Sequence, residues 1–231
     1  MSFLGINVAY WLLVVFSALL GGLTQTYIKS TYHKWSQVAS GLKSTGAEVA
    51  RRMLNEGGAG ACGIGRTPGH LTDHYDPRDN NLHLSEENYS GGSVSSVAVA
   101  CHEAGHAIQT AKGYLPGKIR RAMVPVVNFA QNTWSFVFFT GIVLRIVGLT
   151  QVAIVLFSVS VVFHLVTLPV EIDASRRAVA YLEQSGSGID VEGAKKVLWA
   201  AALTYVAGAL ISIGQLVYLL MRAQRSSGRR R

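Results

Sequence analysis

The sequence predicts a mainly α-helical, multi-pass membrane protein of about four spans, with a small α+β unit at one membrane face. Three observations lead there. Of the 231 residues, 49% are hydrophobic, and the mean hydropathy of +0.29 is too high for an ordinary soluble domain. Four long runs carry no Asp, Glu, Lys or Arg: residues 1–28, 122–144, 146–170 and 197–221. Between the first two runs lies a polar stretch, 29–121, with helix and strand signals of its own.

Each run exceeds the roughly 20 apolar residues that a helix needs to cross the hydrocarbon core. Four such helices would overfill a single soluble core. The first run lacks a basic leader and a small-x-small cleavage site, so 1–28 reads as an uncleaved transmembrane anchor. The stretch 29–121 is the candidate functional region. Residues 122–170 form a two-span hairpin turning at Arg145 and Gly148, 171–196 a second polar segment, 197–221 a further span, and 222–231 a basic tail expected to be disordered. Asn128, Gln131 and Asn132 in the second run are expected to hydrogen-bond between helices, as is His164 in the third.

The polar stretch divides by its capping and turn residues. In "TGAEVARRMLNEGG", Thr45 with Glu48 forms a capping box, and Gly57–Gly58 ends the helix. "HLTDHY" and "NLHLS" read as two strands joined by the turn residues Pro77, Asp79, Asn80 and Asn81. "NLHLS" could be an edge strand that an extended peptide joins by backbone pairing. Ser93 or Ser95 then caps a helix running to Gly113.

That helix carries "CHEAGHAIQ", a His-Glu-x-x-His sequence. Residues four apart share a helix face, so His102 and His106 can offer two imidazoles to one Zn²⁺. Glu103 lies one position round, where its carboxylate can take a proton from a water activated by the metal and pass it on. Val97, Cys101 and Ile108 would bury the opposite face, while Ala104 and Gly105 would keep the helix slim for an approaching substrate. Three polar groups interrupting an Ala/Val-rich helix would be costly to bury without a metal or partners. With seven histidines in the chain, a chance match is rare.

A catalytic zinc needs a third protein ligand. The candidates are His33, His70, His74, His83, His164, Glu171 and Asp173. Glu171 is the first charge after 25 uncharged residues, and two spans between it and His106 would return the chain to the same side. Read alone, Glu171 could equally be a helix-start residue placed after Pro169 and favoured by the helix dipole. In "LTDHYDP", His74 could bind metal or stabilise an oxyanion, but the turn chemistry favours a structural role.

"LTDHYDPRDNNLHLS", "VAVACHEAGHAIQ", "VPVVNFA" and "LPVEIDASRRA", in this order, resemble the YugP-type membrane zinc metallopeptidases of bacteria. The resemblance covers nearly the whole chain. It implies a zincin-like, gluzincin-type unit, with Zn²⁺ as cofactor. His102 and His106 would be zinc ligands, Glu103 the catalytic glutamate and Glu171 the third ligand. "EIDASRRA" is also similar to the Glu-x-x-Ala-Asp block of other membrane gluzincins. Ser175 stands where that block has Asp, so support for a histidine is expected from elsewhere, with Asp173 a candidate.

The implied function is a membrane-embedded metalloprotease acting on peptides or membrane-associated proteins. An intramembrane-cleaving site fits less well, because the signature helix is too short and polar-flanked to span. A non-catalytic scaffold or chaperone with a structural zinc is the alternative from another class, but it has no use for Glu103. The net charge of +8 suits an anionic bilayer rather than nucleic acid, since no aromatic-basic face is present. Ten Lys or Arg flank the spans on the catalytic face against five in the tail, which places that face in the cytoplasm. Cys62 and Cys101 read as free thiols.

Overall fold

A computed structural model describes residues 8–185 and 190–228. Four long helices dominate: α1 (Val8–Ser36), α5 (Leu115–Val143), α6 (Val147–Gln184) and α7 (Val191–Gly228). Between α1 and α5 lie α2 (Gly46–Glu56), α3 (Glu86–Ser90), α4 (Val94–Ala111) and the strands β1 (Gly63–Thr67), β2 (His74–Asp76) and β3 (Asn81–Ser85). Residues 1–7 of the expected anchor, 186–189 of the second polar segment and 229–231 of the tail lie outside the described residues. The described part of the tail departs from expectation. α7 continues to Gly228, because no helix breaker interrupts "MRAQRSS".

Three of the helices are long and apolar enough to cross a membrane: α1, α6 and α7. The expected fourth span, 122–144, is helical but does not qualify. Asn128, Gln131, Asn132 and Thr133 dilute its apolar content. Asn128, Gln131 and Asn132 are also exposed rather than buried between helices. In this stretch of α5 Val127 and Ala130 are the buried residues.

The chain divides into two compact units. The first comprises Thr24–Lys118 and Leu168–Thr204. Here α2 starts at Thr45, whose side chain accepts from Glu48 N–H while the Glu48 carboxylate accepts from Thr45 N–H, completing the capping box. The amphipathic inner side of α2 (Val49, Ala50, Met53, Leu54) is buried with Val97, Cys101, Ala104 and Ile108 of α4 and with Leu82 and Leu84 of β3. Ala178 and Leu182 of α6 and Val197 and Leu198 of α7 complete this core.

The sheet order is β1-β3-β2, with β1 parallel and β2 antiparallel to β3. The β2–β3 hairpin matches the turn chemistry. Asp76 Oδ1 accepts from Arg78 N–H at 2.9 Å, an Asx-type closure. "NLHLS", however, is the central strand. β1, "GIGRT", was hidden by its two glycines and pairs along β3, so the outer strands are β1 and β2. Asp73 anchors the hairpin: its carboxylate accepts from Ser85 N–H (2.7 Å), Ser85 Oγ–H and Asn88 Nδ2–H (2.8 Å).

The second unit comprises Met1–Leu23, Ile119–Thr167 and Tyr205–Arg231. Trp134 and Phe138 pack on Ile154, Phe157, Val161 and Leu219. α5 ends in a Schellman closure, with Ile146 N–H donating to Gly141 O (2.9 Å) and Arg145 N–H to Ile142 O (3.2 Å). Arg145 takes the left-handed position, φ 57°, that glycine usually fills. The turn lies at Arg145 as expected, and Gly148 belongs to α6. His164 Nδ1 is 3.1 Å from Ser212 Oγ of α7, the interhelical bond anticipated for it.

Cys62 and Cys101 are free and buried, and burial pushes both thiols above their ordinary range. N-ethylmaleimide at neutral pH is therefore expected to leave both unmodified in the folded protein and to label both after denaturation in SDS. Mass spectrometry reads the adduct count. Rapid labelling of Cys101 before denaturation would contradict the packing of α4.

Candidate metal centre

α4 brings the signature residues to one side. Ser93 caps it by accepting from Ser96 N–H at 3.1 Å, and Val97, Cys101, Ala104 and Ile108 turn into the core. His102 and His106 are left on the opposite side, one turn apart. α6 lies against that side. A Cβ added at Gly105 would stand 2.7 Å from the Ala174 carbonyl oxygen and 3.1 Å from its Cα. Gly105 thus admits the backbone of α6 and not a substrate, and Ala104 is fully buried. The expectation that these two residues keep an open approach is corrected: their small size serves helix packing.

The contact sets Glu171 between the histidines. Its Oε2 is 3.3 Å from His102 Nε2 and 3.4 Å from His106 Nε2, and the side chain is 2% exposed. One ligand atom from each of His102, His106 and Glu171 lies within 4.8 Å of the others. Glu171 does not start a helix. α6 runs unbroken through Pro169, so Glu171 lies in its interior and has no free helix N-terminus to serve. A proline is tolerated there at the cost of one backbone bond.

The outer nitrogens of both rings are engaged. His106 Nδ1–H donates to Gln109 Oε1 at 3.0 Å. Gln109 Nε2–H donates to Val170 O and to Asp173 Oδ2, each at 2.8 Å, and Arg177 Nε–H donates to the same Asp173 oxygen at 2.6 Å. Asp173 therefore reaches His106 only through Gln109. His102 Nδ1 is 3.1 Å from Ser175 Oγ. Support for His102 was expected from elsewhere, because Ser175 is not an Asp. The serine hydroxyl occupies that role directly, being four residues past Glu171 and so on the same side of α6. Neither Gln109 nor Ser175 stood out beforehand, although both follow from helical spacing: Gln109 is three residues past His106.

Burial opposes a charge on His106, but the hydrogen bond and charge of Glu171, with Glu103 behind them, outweigh it and raise its proton affinity. The centre is an electronegative pocket suited to a cation. Two imidazoles and one carboxylate are the donor set of a catalytic zinc site. Ligand atoms about 2.1 Å from a tetrahedral ion stand about 3.4 Å apart, which the Glu171–histidine separations match. Glu103 is 9% exposed, and among the described residues its carboxylate has no hydrogen-bond or ion-pair partner.

The other candidates lie outside this group. His74 is exposed; its Nδ1 faces Thr72 O at 2.8 Å and its ring stacks on His83. His70 pairs with Glu87, His83 with Asp79 and His164 with Ser212. The "LTDHYDP" block is structural at Asp73, Asp76 and Tyr75, whose hydroxyl reaches Asn80.

Gly105→Ala is expected to cost about 1–3 kcal/mol by driving a methyl into the α6 backbone. Gly148→Ala, which meets nothing within 4 Å, is the matched control. Thermal unfolding of both in detergent checks this; equal midpoints would show that α4 and α6 are not in the close contact described.

Residues 10–224 match the family described as "Putative neutral zinc metallopeptidase". The chain is 42% identical over 199 residues to "Putative membrane protease YugP" of Bacillus subtilis (strain 168), covering 85% of this chain and 88% of that protein. No solved structure matches it. With the histidines and the glutamate of α4 and α6 inside the matched region, the chain belongs to the family of putative neutral zinc metallopeptidases.

Proposed function

We propose that this protein is a membrane-embedded, zinc-dependent endopeptidase of the gluzincin type. One observation carries the reading: a His102–His106–Glu171 donor set beside a buried glutamate, Glu103, with no partner of its own among the described residues. A structural metal site has no need of such a group. A buried unpaired carboxylate is costly, and a catalytic role is a reason for a protein to keep one.

In this reading His102, His106 and Glu171 hold Zn²⁺, which when bound supplies Lewis acidity toward a water and a peptide carbonyl. Gln109 and Ser175 fix the rings so that both Nε2 atoms face the donor centre. Glu103 takes the proton from the attacking water as general base and returns it to the leaving amine as general acid. Membership of a metallopeptidase family and the name of the Bacillus relative support peptide bonds as the target. Three apolar helices support a substrate that is membrane-associated or membrane-proximal. The charge count favours a cytoplasmic active face.

Purified protein is expected to contain about one zinc per chain, removable by chelators. His102→Ala, His106→Ala and Glu171→Gln should each lose the metal, the last because a neutral amide cannot replace the carboxylate. Glu103→Gln should keep the zinc and lose cleavage of casein or a peptide library by two orders of magnitude or more. Bound metal with no cleavage by the wild type would instead identify a scaffold with a structural ion, and unchanged turnover in Glu103→Gln would remove Glu103 as the general base. Full zinc occupancy in Glu171→Gln, with loss in Asp173→Asn, would move the third ligand two residues along α6.

Protease added to the cytoplasmic side of inverted vesicles is expected to cut within 29–121 or 171–196. Cleavage of those stretches from the outside face alone would reverse the orientation.

A further inference from the structure

We propose that the cavity beside the α5–α6 turn binds the phosphate group of an anionic lipid, gripped by Arg145 and Arg222 over an apolar wall. The cavity has a volume of about 230 Å³. Arg145, Arg222 and Thr150 supply its polar lining, and Phe138, Ile142 and Leu219 its apolar wall. All belong to the second compact unit.

The charge balance of that unit points to an outside anion. Met1–Leu23, Ile119–Thr167 and Tyr205–Arg231 contain no Asp and no Glu. Two guanidiniums therefore line one cavity in a unit that has no Asp or Glu side chain to pair with them. Guanidinium matches phosphate oxygens in a two-pronged fashion, and two arginines on one cavity favour a ligand with net negative charge over a zwitterion.

The backbone carries an independent sign. Arg145 occupies the left-handed turn position, φ 57°, where a residue with a side chain is disfavoured. The arginine kept there is one of the residues that line the cavity. Gly141 lets the two helices approach: a Cβ on it would stand 2.9 Å from both Thr150 N and Thr150 Oγ1. Gly141 and Thr150 thus bring backbone and a hydroxyl to the cavity lining.

Position along the chain selects a lipid as the source of the phosphate. Arg145 separates the apolar runs 122–144 and 146–170, and Arg222 immediately follows the run 197–221. Arg145 precedes α6 and Arg222 lies near the end of α7, two helices long and apolar enough to cross a membrane. Such charges would come at headgroup depth, and Phe138, Ile142 and Leu219 beside them would take the acyl chain.

The test uses the full-length chain in neutral detergent, with bound ligand counted by native mass spectrometry. Phosphatidylglycerol, phosphatidylcholine and inorganic phosphate are titrated in parallel. The wild type should bind one phosphatidylglycerol at least tenfold more tightly than either of the others. Arg222→Gln and Arg145→Gly should each lower that affinity at least tenfold, whereas Arg120→Gln, outside the cavity lining, should not. Glycine suits the turn conformation, so Arg145→Gly removes the guanidinium without threatening the fold. Equal affinity for phosphatidylglycerol and phosphatidylcholine, equal affinity for inorganic phosphate, or unchanged binding in both cavity variants would each overturn the proposal.

Discussion

A carboxylate buried between two imidazoles is the interaction on which the rest of the α4–α6 arrangement turns. Glu171 is nearly inaccessible to water, and an isolated charge so placed would be severely destabilising. It is tolerable because both histidines face it through Nε2. That demand fixes the rotation of α6 about its axis and sets the depth at which α4 must lie. Gly105 allows the approach, while Gln109 and Ser175 hold the rings. None of these contributes separately. A tilted imidazole or a helix one residue out of register would leave a buried charge uncompensated.

Much of this was legible in the sequence because it rests on short-range rules. The capping box at Thr45–Glu48 and the serine cap of α4 involve groups three residues apart, and the structure contains both. His102 and His106 share a side because four residues nearly complete a helical turn. The β2–β3 hairpin follows from Asp76 and Asn80, whose side chains satisfy local backbone and ring partners.

The misreadings came where local chemistry does not decide. Pro169 looked like a boundary, since proline commonly precedes or opens a helix, yet the packing of α6 overrides it. β1 escaped notice because "GIGRT" has no alternation to betray it; its partner β3 supplies the ladder. Amides in an apolar helix point to partners on neighbouring helices, but Asn128, Gln131 and Asn132 are exposed and only Val127 and Ala130 beside them are buried. Ser175 lacks the charge of the aspartate it replaces, yet a hydroxyl at the right helical spacing needs no charge to hold an imidazole.

The division of the chain falls at a particular kind of residue. α1 passes from one unit to the other between Leu23 and Thr24, just after Gly21–Gly22; α5 does so beside Gly117, α6 beside Pro169, and α7 at Thr204, whose hydroxyl turns back to the Ala201 carbonyl. Glycine, proline and a back-bonded threonine are the usual means of loosening a helical hydrogen-bond ladder. Each of the four helices thus carries such a residue at or next to the boundary between the units. In α6 that residue is Pro169, so the turn that presents Glu171 begins with a nitrogen that cannot donate to the carbonyl four residues earlier.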